Sequence, residues 1–230
     1  MTDANLVPLL PTAQVLLTAL VVMLLDLFLD EKEKGFLAWI SLLGLALCAG
    51  ESVILWGSQD AAFRSAILLD NFALFFALLF VSVAALTILS SIHYLKETKI
   101  HQGEFYALVL FATGGMILMA AANDLIVFFL ALETMSIAVY VLTGMWRANT
   151  RSSEAAMKYF LMGAFATGFL LYGIALMYGA TGSTNLNQIS AYLLEPASDW
   201  PVYLAGGAFL VLIGFAFKAG AVPFHFWIPD

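Results

Sequence analysis

Apolar residues run through this chain in long unbroken stretches, separated by short clusters that hold most of the charge. A bilayer core needs about 20 predominantly apolar residues per helix. Seven stretches meet that requirement: Leu6 to Leu29, Phe36 to Trp56, Asp70 to Leu95, Glu104 to Ala122, Asp124 to Trp146, Ser153 to Tyr178 and Trp200 to Trp227. The runs lack the period-two alternation of lipid-facing strands, which excludes a barrel. The pattern predicts an all-α, polytopic transmembrane helix bundle of about seven helices. Only Asn123 and Asp124 divide the fourth stretch from the fifth, and their combined length of about two spans predicts a tight turn there.

Composition supports a membrane protein. Of 230 residues, 63% are hydrophobic and 11% charged, with a mean hydropathy of +0.95, far from an ordinary soluble domain. The opening MTDANLVPLL places no basic segment ahead of its apolar run, so the first stretch reads as a span and not a cleaved signal. Cys48 is the one cysteine, which excludes a cysteine-ligated iron–sulfur cluster, a CxxC redox pair or an internal disulfide in this chain. No Gly-rich fingerprint follows a predicted strand, so no dinucleotide site is expected. The net charge of −7 argues against nucleic acid as a partner. Lys32 and Lys34, Lys96 and Lys99, and Arg147 and Arg151 fall in alternate loops, whereas the opposite set holds Arg64. The positive-inside rule then predicts an external N-terminus.

Several acids lie where a charge is cheap. Asp26, Asp70, Glu104, Asp124 and Glu154 sit near helix ends, and Glu51 about one turn from one. They read as solvated cap or loop charges, with Asp70 and Asp124 at helix starts where a carboxylate complements the dipole. Glu133 is different. It stands nine residues past Asp124 and fourteen before Arg147, ~13 Å inside a ~30 Å core. An ionised group at that depth costs ~2.5 to 3.5 kcal/mol, so it requires a polar interior and a partner. Ser136, Tyr140 and Thr143 follow at i+3, i+7 and i+10 and draw one polar stripe down the helix. A buried acid that only locks two helices together would carry the same stripe, and both readings stand.

Lys218, eighteen residues beyond Trp200, is the natural counter-ion. Pro223 lacks an N–H and clashes with the carbonyl of Ala219, and Gly220 lets the backbone bend, so a break within one turn of the lysine is expected. Irregular backbone at membrane depth survives where it is buried in protein or lines a wet cavity. Carbonyls freed there would hold water and a proton carrier; the alternative is a kink with a snorkelling lysine. Lys158, four residues past Glu154, lies ~6 Å into the sixth helix and either snorkels or functions. His225 can relay protons near neutral pH, yet it stands beside Trp227 near a helix end and is a weak candidate. Gly163, Ala164, Thr167 and Gly168 suggest close helix packing. The Phe-rich run FALFFALLF reads as lipid-facing or core filler.

Three motifs occur in order: NDLIVFFLALETMSIAVYVLTG, then SSEAAMKYFLMGAFATGFLLYGIALMYGATGSTNL, then the closing GFAFKAGAVPFHFWIPD. Together they closely resemble the antiporter-like subunit N (chain 2) family of bacterial NADH-quinone oxidoreductase, respiratory complex I. The likeness covers essentially the whole chain. Relatives of that family include subunits of multisubunit sodium/proton antiporters and of membrane-bound hydrogenases. The resemblance implies a non-redox, proton-translocating membrane-arm subunit in which Glu133 and Lys218 are the paired acid and base and Lys158 is an additional lysine. It implies no cofactor in this chain, with NADH, FMN, iron–sulfur clusters and quinone held by other subunits. The implied partners are other membrane-arm subunits, the lipid bilayer and protons, in the bacterial inner membrane.

Residues 1–100 are expected to form three N-terminal helices, and residues 101–230 the start of the first antiporter-like repeat, its last helix broken near Gly220 to Pro223. Members of the family carry two inverted repeats over about twice this length. The chain is therefore expected to be a fragment cut inside its first repeat and not to conduct end to end. A reading from another class is a structural membrane scaffold in which the Glu133–Lys218 pair fixes packing.

Overall fold

A computed structural model describes residues 5–30, 33–98, 102–194, 202–225 and 227; Lys32, Lys99 and Trp200 lie outside them. Among the described residues are eight α-helices: α1 (Leu10–Asp26), α2 (Phe36–Ile54), α3 (Asn71–Thr98), α4 (Gln102–Ala121), α5 (Leu125–Thr143), α6 (Thr150–Thr181), α7 (Leu186–Leu194) and α8 (Val202–Lys218). An antiparallel hairpin of β1 (Asp60–Ala62) and β2 (Ile67–Leu69) lies between α2 and α3. Helices α1 to α6 are long and apolar enough to cross a membrane. The seventh apolar stretch gives α8, only 17 residues, because it ends at Lys218 and does not run on to Trp227.

Two of the buried clusters hold the helices together. Val15, Leu45, Ile88, Leu110 and Tyr106 are buried where α1 to α4 meet. Leu132, Leu170, Ile174 and Val211 join α5, α6 and α8 in a second cluster. Small residues set how closely these helices approach. A Cβ at Gly173 would stand 2.7 Å from the carbonyl oxygen of Gly207, and one at Gly214 would stand 2.7 Å from Cβ of Leu170. Gly115 likewise lets α4 lie on the backbone of Ala131 in α5, 2.8 Å from where its Cβ would be. The α6–α8 seam therefore runs along α6 from Ala166 through Leu170 to Gly173, and Gly168 itself faces open space.

The expected turn at Asn123–Asp124 is an extended link that knits one end of the bundle. Ala122 bridges Ile67 of the hairpin, and Asp124 bridges Asn185. The Ser65 carbonyl accepts from the amides of Asn123 (2.8 Å) and Asn185 (3.2 Å). Those bonds hold a hairpin tip in which Phe63, Arg64 and Ser65 take φ of 50°, 56° and 64°, a left-handed run that disfavours L-residues by roughly 1–2 kcal/mol each. The hairpin and α7 were not legible in the hydrophobic pattern, since strands of three residues are too short to register a period.

The helix-end acids divide into two groups. Asp70 caps α3 through the backbone N–H of Ala73 (2.9 Å), and Asp124 caps α5 through those of Ile126 (2.8 Å) and Val127 (3.4 Å). Glu104 and Glu154 are exposed. Asp26 is not a solvated charge: its side chain is 12% exposed, packed on Gly103 and paired with Lys34 at 3.3 Å. Glu51 also departs from the solvated reading, with Oε2 buried and lacking a hydrogen-bond partner. Cys48 is buried, its thiol on the carbonyl of Pro11. In the Phe-rich run, Phe72 and Phe75 are exposed, while Phe76 and Phe80 line an apolar cleft with Met116 and Met135.

Candidate functional site

Glu133 is the ninth of the nineteen residues of α5, the middle of the span. Ser136 and Tyr140 follow on the same face and are buried. The hydroxyl of Thr143 donates to the carbonyl of Val139 in its own helix.

Lys218 reaches this face from α8. Its Nζ donates to Oγ of Ser136 (2.7 Å) and to the hydroxyl of Tyr140 (2.8 Å), and stands 3.9 Å from Oε1 of Glu133. The last separation is too long for a hydrogen bond. Two unit charges that far apart still attract by about 4 kcal/mol at an effective dielectric near 20, before desolvation. The lysine side chain is 10% exposed and the glutamate 23%. A buried ammonium is tolerated here because two of its three donors are taken by neutral hydroxyls and its charge faces a carboxylate.

The end of α8 places the lysine. Gly220 takes φ 65°, its N–H bonds to the carbonyl of Phe217 (3.0 Å), and the N–H of Ala221 bonds to that of Ala216 (2.8 Å). This is a Schellman C-cap with glycine at the left-handed position. The helix ends at this cap, and Pro223 follows three residues after Gly220. Of the carbonyls in the last turn, those of Ala216 and Phe217 are taken by the cap, that of Phe217 a second time by the indole N–H of Trp227 (3.2 Å). A cation in the last turn also faces the negative end of the helix dipole.

Helix α6 contacts Glu133 and Tyr140. The hydroxyl of Thr167 donates to Oε1 of Glu133 at 2.9 Å. One turn earlier, Gly163 makes room for the Tyr140 phenol, since a Cβ there would collide with its hydroxyl. Aromatic rings wall the site: Tyr140 meets Tyr159 edge-on at 4.7 Å, and Tyr159 stacks on Trp227 at 4.5 Å. Sequence reasoning took Thr167 as a packing residue. The signal available was its i+4 spacing from Gly163, which puts the two on one face of α6.

The other candidates stand apart. Lys158 pairs with Glu154 at 2.9 Å on its own helix, with its side chain 45% exposed, and forms no ion pair with Glu133. His225 is exposed beyond the end of α8. Among the described residues no three His, Cys, Asp or Glu side chains gather as a metal site requires.

The polytopic helix bundle is an antiporter-like membrane fold. Residues 122–230 match the family described as NADH:quinone oxidoreductase/Mrp antiporter, TM. That match takes in just under half of the chain, and over nearly its whole length the chain is similar to NADH-quinone oxidoreductase subunit N. Subunit N of Trichlorobacter lovleyi is 44% identical over 226 residues, covering 98% of this chain and 46% of that protein. Among solved structures, a chain of respiratory complex I from Thermus thermophilus with bound aureothin is 35% identical, with a TM-score of 0.77, over 96% of this chain and 46% of that one. A chain of the membrane-bound sulfane sulfur reductase, an archaeal respiratory membrane complex, is 29% identical with a TM-score of 0.82, over 98% and 47%. The chain thus spans about half the length of the relatives it matches.

Proposed function

We propose that Glu133 and Lys218 act as a proton-transfer pair in a proton-translocating membrane-arm subunit of an NADH-quinone oxidoreductase. The observation that carries this reading is the 3.9 Å approach of Lys218 Nζ to Glu133 Oε1 at mid-span. Opposite charges in a low-dielectric interior stabilise each other's charged forms, while burial favours neutral ones. Their separation therefore sets whether the lysine holds its proton, which makes the pair a two-state element. Quinone reduction in other subunits, which would carry NADH, FMN, iron–sulfur clusters and quinone, draws the pair apart. The ammonium then loses its counter-charge and passes its proton toward the next site. Ser136 and Tyr140 give the moving ammonium acceptors other than the carboxylate. Lys158 is the accessory carrier, and His225 is given no step.

The remaining membrane-arm subunits are the partners, the inner membrane is the location, and the basic loops face the cytoplasm with the N-terminus outside. The test is Glu133→Ala in the full-length protein within its native assembly, read as protons moved per electron. A lowered ratio is expected, and an unchanged ratio and turnover would sink the proposal. The family description also names antiporters, and sodium-dependent proton exchange in vesicles without a redox partner would support that second reading.

A further inference from the structure

The ends of α1, α2 and α3 that carry the basic loops enclose a cleft of about 550 Å³, away from the Glu133–Lys218 site. Its floor is apolar, made by Leu29, Ile92 and the rings of Phe36 and Trp39, which are 61% and 62% exposed. Among the described residues its rim carries one cation and one anion, Lys96 and Glu33. Neither has an ion-pair partner among the described residues. The neighbouring Lys34 is buried and paired with Asp26 at 3.3 Å. Gly35 lines the cleft beside Lys96, whose Nζ is 3.8 Å from where a Cβ would stand.

Aromatic rings and lysine at the end of a span mark the headgroup level of a bilayer. An apolar floor there is covered by acyl chains. A rim with one charge of each sign is complementary to a zwitterion and not to a net anion, which Glu33 would repel. The acid also favours an ammonium that donates hydrogen bonds over one that is fully methylated. We propose that this cleft binds a phosphatidylethanolamine molecule, its phosphate on Lys96, its primary ammonium on Glu33 and its chains along Phe36, Trp39 and Ile92.

The experiment uses the full-length protein in its native assembly, delipidated in mild detergent. The assembly is exposed to phosphatidylethanolamine, phosphatidylcholine or phosphatidylglycerol of identical chains, and retained lipid is counted by native mass spectrometry. The expected order is phosphatidylethanolamine above the other two. Lys96→Gln is expected to lower retention of all three about 5-fold, the worth of one lysine near a charged membrane surface. Glu33→Gln is expected to abolish the preference for phosphatidylethanolamine over phosphatidylcholine while leaving phosphate capture in place. Both residues lie on the rim, so the variants are expected to assemble with unchanged yield. Equal retention of phosphatidylethanolamine and phosphatidylcholine by the wild type would overturn the proposal. So would a preference for phosphatidylglycerol, or no loss in Lys96→Gln, as when another subunit fills the cleft.

Discussion

Lys218 and Glu133 face each other across the α5–α8 interface at 3.9 Å, yet each makes its hydrogen bonds elsewhere. The ammonium is held by Ser136 and Tyr140, and the carboxylate accepts from Thr167. The pair is thus attracted without being locked, because the short bonds that would fix a direct ion pair are supplied by three hydroxyls. Such an arrangement suits groups that must separate and return. It also makes the hydroxyls, and not only the charges, subject to test.

Tyr140→Phe removes an acceptor from Lys218 and keeps the ring that packs on Tyr159 and Phe160. A hydrogen bond to a charged group is worth about 1.5–3 kcal/mol, or about 10-fold or more in a rate that depends on it. Proton pumping by the full-length protein in its assembly is expected to fall by about that factor, with assembly yield unchanged. Wild-type pumping in Tyr140→Phe would mean that Ser136 alone positions the ammonium.

Thr167 can be separated from packing by a pair of substitutions. Thr167→Val keeps its volume and removes the donor to Glu133, whereas Thr167→Ser keeps the donor and removes a methyl group. If the hydroxyl positions the carboxylate, the valine variant loses coupled pumping and the serine variant retains it. A packing role gives the opposite order, since serine is the one that leaves a gap. Proton-to-electron ratio in sealed vesicles distinguishes the two.

Asp124 links three elements: it caps α5, accepts from the hydroxyl of Thr184 at 2.6 Å and bridges Asn185 ahead of α7. Asp124→Ala removes the cap and the Thr184 contact. Loss of an N-cap costs about 1 kcal/mol, and a buried-side partner left unpaired adds to it. A lowered thermal transition is expected in detergent, with pumping by the folded fraction unchanged. Asp124→Asn is expected to recover most of the loss, because asparagine caps comparably well.

How much of this was legible depends on the length of the signal. Six spans and the placement of Glu133 follow from apolar runs of about 20 residues, which admit few other structures. Glu133 and Lys218 could be matched because an uncompensated charge at mid-membrane needs a partner. The distances could not, since 82 and 78 residues of chain separate Lys218 from Ser136 and Tyr140. Asp26 was misread because position near a helix end says nothing of what folds over it; here Lys34 returns and Gly103 packs against it. The glycine seam at Gly173 and Gly207 was missed for the same reason. Small residues are scattered over several faces of α6, and only the partner helix shows which of them are close.

The break after Lys218 gives a final test, because two residues compete to explain it. If Pro223 ends α8, the residue at position 220 matters little. If the Schellman cap ends it, Gly220 at φ 65° is the determinant, and a side chain there costs roughly 1–2 kcal/mol, with β-branched residues worst and asparagine tolerated best. Thermal stability of the full-length protein is therefore expected to fall in the order Gly220→Asn, Gly220→Ala, Gly220→Val. Pumping is expected to fall in the same order, because a shifted helix end moves Lys218 away from Ser136 and Tyr140. Equal stability of the Asn and Val variants would assign the break to Pro223. Lost stability with intact pumping would mean that the side chain of Lys218 finds its hydroxyl partners without help from the cap.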